Sequence, residues 1–462
     1  MREAVGVCGI PSELYKFGST NLHRCLLFLF NLMLSTMTAP RDFTTSILVP
    51  IFKTGKPRGM CSSFRPVSFL CTARKVMTSA LLSASRPEFD NFIGPRQTAF
   101  KKGHCTTDCV FAVKTITEKA LVGDWDCSIV LLDMSRAYDA VYRDKLLEVL
   151  QEAQGSDKAN AIMLLFENTQ AKVKINRTLS HTFDVGSGVF QGDGLSPTLF
   201  TAYLEAALRH IPQVSQSGVP FDDLEYADDV SFIHRSPRAL KDKVQQAKEH
   251  LGEWGLQVND AKTQWLEVRR RGPSEWKECI YLGSCIDTEM DIKPRCCQAD
   301  TALHTIRAVV FRHSHVPTGL KLKLFKTLVI SVLLYNSELW TTRKASLDRL
   351  DRWHRKRVWQ LLAIYYPNVI SNEDLYTRTG QEPTSQTVQR RRLKWFGHCI
   401  RAAPNLPAAQ ALTLALDMSD VKRPRGRPPL RWIDIVKKDI ATIGLSVTEA
   451  ANMAANRERW HN

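Results

Sequence analysis

Asp133 and the pair Asp228–Asp229 are the residues of this 462-residue chain whose types and settings most directly imply chemistry. Asp133 ends the apolar run SIVLLD at 128–133, and Asp228–Asp229 lie inside LEYADDVSFI, which reads as strand, acidic turn, strand. Adjacent carboxylates repel one another unless cations neutralise them, and hard divalent cations take oxygen ligands. A strand-end aspartate beside a hairpin-tip pair is suited to two Mg²⁺ ions roughly 4 Å apart, one activating a hydroxyl and the other holding a triphosphate and its leaving group. Either feature alone is commonplace, so their order and context carry the weight.

The elements that must position these aspartates are legible around them. SIVLLD has the continuous apolar look of a buried central strand. SILVPIF at 46–52 and FRPVSFL at 64–70 read as strands joined by a basic Gly/Pro/Lys loop. RDKLLEVLQEA at 143–153 and PTLFTAYLEAALRHI at 197–211 read as helices, the second opened by Ser196 as N-cap and Pro197 in its first turn. Ser236–Pro237 repeats that device, and Gly255 ends the helix that follows. Strands alternate with helices from Thr44 to about Asp287, which makes that stretch α+β or α/β, while residues 1–43 read as helical.

Composition narrows the partners. A net charge of +16 favours a polyanion, either nucleic acid or an anionic membrane. The strongest apolar run, Leu26 to Leu34, is interrupted by Asn31 and is far short of the roughly 20 residues of a spanning helix, so no membrane partner is expected. Met1 is followed by Arg2 and Glu3 without a hydrophobic signal core, and nothing marks the chain for secretion. The twelve cysteines are irregularly spaced without a CxxC knuckle, which favours buried thiols over zinc or disulfides. Beyond residue 290 basic helical stretches take over, and ten Lys or Arg stand against two acids between Ser385 and Trp432. Trp353, Trp359, Trp395 and Trp432, interleaved with those charges, fit either stacking on unpaired bases or the packing of a helical core.

Taken in order, the blocks resemble the reverse transcriptases of LINE-type (non-LTR) retrotransposons. ILVPIFKTGKP and SFRPVSFL resemble the two fingers motifs, and QTAFKKGHCTTD at 97–108 the next block. LLDMSRAYDAV at 131–141, GVFQGDGLSPTLF at 188–200, YADD at 226–229 and GLQVNDAKT at 255–263 resemble motifs A to D, with YLGSCI at 281–286 similar to the primer-gripping hairpin. LLYNSELW at 333–340 and RRLKWFGH at 391–398 extend the resemblance more loosely. It implies an α+β, right-hand polymerase fold: a helical extension over 1–43, fingers and palm over 44–290, a helical thumb over 291–384 and a basic nucleic-acid-binding region over 385–462. The implied activity is RNA-directed DNA synthesis by two-metal nucleotidyl transfer, with two Mg²⁺ ions, an RNA template, a DNA primer or target and deoxynucleoside triphosphates. The alternative is a degenerate or domesticated chain of this fold that binds nucleic acid without polymerising.

Residue by residue, the resemblance makes Asp133, Asp228 and Asp229 the metal ligands, Tyr138 the aromatic that excludes a ribose 2′-hydroxyl, and Lys53 and Arg65 the cations facing the triphosphate. Gln191–Gly192 matches the nucleotide and template contact, and Lys262 the lysine proposed to protonate pyrophosphate. The chain departs from the family at Phe190, where Arg is usual, and at Gly194, where Pro is usual, losing a positive charge and a rigid turn residue. Such proteins normally carry an endonuclease, so one is expected from a missing domain or another protein. Within KRPRGRPP at 422–429, Arg425, Gly426 and Arg427 have the form of a minor-groove AT-hook core, although a basic linker or nuclear-import signal fits the same letters better. The expected location is nucleus and cytoplasm.

Overall fold

The computed structural model describes residues 6–123, 126–211, 221–272, 274–313, 315–417 and 430–461. Arg425, Gly426 and Arg427 lie outside the described residues. Two main sheets and the helices around them make an α+β architecture. In the first sheet, Thr45–Phe52 pairs antiparallel with Phe64–Phe69 and parallel with Gln170–Ile175. The turn between the first two strands is the basic Gly/Pro/Lys loop expected from the sequence.

The second sheet is antiparallel throughout, in the order Gln264–Val268, Cys127–Leu132, Asp229–His234, Asp223–Tyr226. All six residues of Cys127–Leu132 are buried. Alternation explains why the run is continuously apolar: successive side chains point to opposite faces, and both faces are covered. Val130 and Leu132 join Val230, Phe232, Leu240, Val244 and Leu251 in one core, with the helices Ser196–Leu208 and Pro237–Glu253. Ile129 and Leu131 join Val113, Ile116 and Ile233 in another, under the helix Thr106–Val122.

Helix starts follow the sequence with one correction. Ser236 caps Pro237–Glu253 by accepting the Ala239 N–H. Ser196, expected as an N-cap, is instead the first helical residue; Leu195 occupies the cap and the buried Ser196 hydroxyl has no partner among the described residues. Asp193 turns the chain just before the helix, its Oδ1 accepting the Leu195 N–H at 3.3 Å, and among the described residues no side chain caps the helix start.

A third core gathers Ile292, Leu303, Phe325, Leu333, Trp340, Leu350, Val358 and Val388 in the helices after residue 287. The last helices do not stand apart. Trp395, Phe396, Leu412, Trp432, Ile433 and Val436 share a core with Val110, Phe111 and Ile116 of the sheet-side helix. The Phe111 ring meets Trp395 and Trp432 edge-on, at 5.8 and 4.6 Å between centroids. Those two tryptophans are therefore packing residues and not free platforms for bases. No described helix is long and apolar enough to cross a membrane.

Candidate active site

The register of the second sheet brings the aspartates together. Leu132 pairs with Val230, so Asp133, one residue beyond Leu132, stands beside Asp229, one residue before Val230. Tyr226 pairs with Asp229, leaving Ala227 and Asp228 as a two-residue turn in which Ala227 has φ of 55°. Positive φ costs a residue with a Cβ, so something must hold this turn. The holder is Gln97, wholly buried, whose Oε1 accepts the Ala227 N–H at 2.9 Å and whose Nε2 donates to the Ala227 carbonyl at 3.3 Å. The neighbouring backbone reinforces it, since the Thr98 N–H donates to the Glu225 carbonyl at 3.0 Å. Sequence reasoning placed Gln97 in a block without giving it a role; its position heading that block was the available signal.

Electrostatics records the crowding. Burial pushes the Asp228 carboxyl up, and the Asp133 charge adds to this while Arg65 and Lys262 oppose it. Asp229 is pushed up to about 6 by burial, then by Asp228 and Asp133. The Lys262 ammonium donates to Asp133 Oδ2 at 2.8 Å, and the Asn259 N–H donates to the Asp133 carbonyl at 2.7 Å, which fixes the segment carrying the lysine. Asp228 and Asp229, whose proton affinity rises beside the Asp133 charge, offer with Asp133 a donor set made of oxygen alone, the chemistry that hard divalent cations take. Among the described residues no group of three or more His, Cys, Asp or Glu side chains is arranged to hold a metal ion as it stands; it is the strand register that brings these aspartates to one end of the sheet.

The other residues singled out in the sequence fall into three groups. Tyr138 is half-buried, stacks on Phe200 at 4.9 Å between centroids, and is pushed up to about 12 by burial and by the Asp228 charge. It thus combines a packing contact with a place facing the aspartates. Gln191 and Gly192 lie against the first sheet: the Ser68 N–H donates to the Gln191 carbonyl at 2.7 Å. Gly192 has φ of 125°, and a Cβ there would sit 2.6 Å from the Ser68 carbonyl oxygen, so no other residue fits. Arg65 is exposed and acts electrostatically on Asp228, whereas the Lys53 ammonium donates to the Ser62 carbonyl at 3.1 Å.

The departures from the family pattern also have a structural setting. Phe190 is buried and stacks on Phe166 at 5.8 Å, and the Arg74 guanidinium lies 4.7 Å from the Phe190 ring centre. Arg74, fully buried, is ion-paired with Asp193 at 3.0 Å and donates to the carbonyls of Phe43 and Leu165. A cation thus remains beside Phe190, but as part of a buried network. Among the described residues nothing lies within 4 Å of a Cβ placed at Gly194, and the structure does not explain that substitution.

Comparison with known proteins adds the family. Residues 51–286, about half of the chain, match the family described as reverse transcriptase (RNA-dependent DNA polymerase). An uncharacterized transposon-derived protein from Caenorhabditis elegans is 26% identical over 276 residues, covering 53% of this chain and 95% of that protein. An RNA-directed DNA polymerase from transposon BS of Drosophila melanogaster is 22% identical, covering 83% of this chain and 46% of that protein. The polyprotein of the type-1 retrotransposable element R2 from Nasonia vitripennis is 25% identical over 58% of this chain and 26% of its own length. The chain therefore spans less than half the length of these two polymerases. Among solved structures, apo telomerase from Candida tropicalis is similar at 14% identity and a TM-score of 0.45, covering 95% of this chain and 74% of that one. The order of the sequence blocks and the extent of the family match agree, and this chain belongs to the reverse transcriptase family, with relatives among the polymerases of non-LTR retrotransposons.

Proposed function

We propose that this chain copies RNA into DNA by extending a primer 3′-hydroxyl, with Asp133, Asp228 and Asp229 as the ligands of two Mg²⁺ ions. The observation that carries the reading is that the strand register brings the three aspartates to one end of the antiparallel sheet, Asp133 at a strand end and Asp228–Asp229 at the hairpin turn held by Gln97. When bound, such ions lower the pKa of the primer hydroxyl and neutralise the charge that develops on the phosphates. The chain's own residues do the rest. Tyr138, braced by Phe200, closes the space where a ribose 2′-hydroxyl would lie. Arg65 and Lys53 face the triphosphate, the guanidinium as a bidentate donor and the ammonium as a compact charge. Gln191 and Gly192, held against the first sheet at Ser68, contact the incoming nucleotide and the template. Lys262 is the group for the departing pyrophosphate.

In this reading residues 44–290 act as fingers and palm, 291–384 as thumb and 385–462 as a nucleic-acid-binding region. The primer is a nicked DNA target cut by an endonuclease in another domain or protein, and the chain works in the nucleus after synthesis in the cytoplasm. Incubating the purified chain with an RNA template, an annealed DNA primer, deoxynucleoside triphosphates and Mg²⁺ tests the proposal. Extension to the template's 5′ end is expected. A binary complex that binds template and primer but adds no nucleotide would contradict it.

A further inference from the structure

A cavity of about 470 Å³ lies between the second half of the helix Thr106–Val122, the segment after the strand Gln264–Val268, and the first turn of the helix Thr288–Ile306. It is remote from the aspartates. Val268 pairs with Cys127, at the opposite end of the central strand from Asp133, and six strand residues span roughly 20 Å. Nothing in nucleotidyl transfer uses it.

Its walls are unusual in charge. Lys114 lines the cavity at 7% exposure, and among the described residues its ammonium has neither a hydrogen bond nor an ion pair. Burial pulls its pKa down, a penalty that Asp291 and Glu118 only oppose. The carboxylates that oppose the burial penalty make no direct bond to this ammonium among the described residues, so a buried lysine lining a cavity invites an anion from outside the fold. Arg270 and Arg343, both exposed and without an ion pair among the described residues, stand at the same walls.

The acidic lining groups are already engaged. Glu118 accepts the Trp432 backbone N–H on both oxygens at 3.0 Å, and burial pushes its carboxyl up to about 8. Asp287 caps the helix Thr288–Ile306 by accepting the Met290 N–H, and Glu289 accepts the Ser346 hydroxyl and pairs with Arg349. Leu121, Trp276 and Ile286 supply an apolar wall. The volume lies in the range of small-ligand pockets.

We propose that this cavity is a second binding site, outside the polymerase centre, for a phosphate-bearing ligand of nucleotide size. The phosphate sits among Lys114, Arg270 and Arg343, and the base lies against Leu121, Trp276 and Ile286. The same chemistry is offered by a free nucleoside 5′-monophosphate and by the 5′-phosphorylated end of a strand. No metal ion is required.

Isothermal titration calorimetry of the full chain in EDTA tests this while keeping the metal-dependent centre silent. The probes are adenosine 5′-monophosphate, adenosine, and 5′-phosphorylated and 5′-hydroxyl trinucleotides. The monophosphate is expected to bind with a stoichiometry near one, and adenosine at least about tenfold more weakly. Arg343→Ala and Arg270→Ala should each weaken the monophosphate about tenfold, and Lys114→Met by more, with the Tm of Lys114→Met no lower than the parent's. Tighter binding of the phosphorylated trinucleotide identifies a strand end as the ligand; weaker binding identifies the free nucleotide. Absence of binding, equal affinity for adenosine and its monophosphate, or unchanged affinity in the arginine variants overturns the proposal. Should Lys114→Met fail to fold, the two arginine variants at exposed positions still decide.

Discussion

Tyr138 shows how one side chain serves both packing and selection. Its ring stacks on Phe200, and its hydroxyl feels the Asp228 charge. Removing the ring opens the space in which a 2′-hydroxyl would lie, so Tyr138→Ala should raise ribonucleotide incorporation relative to deoxynucleotide by at least about tenfold. The ratio of kcat/KM values for the two substrates reads this directly, because a loss of stability lowers both equally. An unchanged ratio would make Tyr138 a packing residue alone. Gln97 gives a second prediction at this scale. Gln97→Leu keeps the bulk but leaves the Ala227 N–H buried without its acceptor, at about 1–3 kcal/mol. The turn bearing Asp228 should loosen, and primer extension should slow at least about tenfold while the Michaelis constant for template changes little. Equal rates in Gln97→Leu and parent would show that the turn is held by other contacts.

Elements with a strong period or a strong stop were legible in the chain. SIVLLD reads as a buried strand because both of its faces are covered, and YADD reads as a hairpin tip because apolar runs flank it. Ser236 caps its helix as read, while the helix at Ser196–Pro197 starts one residue earlier, where Asp193, paired with Arg74 from another helix, turns the chain at Leu195. Long-range polar partnerships of that kind leave no local trace, and the Gln97 clamp escaped notice for the same reason. The C-terminal charges are another case. Arg390, Arg391, Arg392 and Arg431 read as a basic surface, yet each is ion-paired within the fold, to Glu382, Glu338, Asp439 and Asp434. His354 is an element-scale liability: buried on the helix Lys344–Leu361 between Phe325 and Tyr376, it is pushed down to about 4 by burial. The unfolded chain takes up a proton at this histidine near pH 6.5, but the folded chain does so only near 4, so stability is lost as pH falls through that window. At pH 4.5 the loss from this group should be roughly 2–3 kcal/mol, and His354→Gln should flatten the decline in Tm between pH 7 and 4.5 relative to the parent. An identical decline in both proteins would assign it to other groups.

At the scale of the whole molecule, the two main sheets, a helical body and a C-terminal set of helices share three apolar cores among the described residues, and one of these brings together residues of 109–131 and of 395–454. Cutting the chain at residue 385 would therefore open a core as well as remove positive charge, and point substitutions are the sounder probe. Everything then converges on the end of the antiparallel sheet where Asp133, Asp228 and Asp229 meet, and where removing one carboxylate should abolish chemistry without harming the fold. Asp228 sits in a turn, half-buried and with its proton affinity raised by burial and by Asp133, so Asp228→Asn relieves repulsion and keeps the side chain's shape. The decisive measurement is single-turnover extension of an RNA-templated DNA primer with Mg²⁺ by the parent and by Asp228→Asn at matched circular dichroism and Tm. The account predicts extension by the parent and a loss of at least about a thousandfold in the variant; comparable rates from the two folded proteins would contradict it.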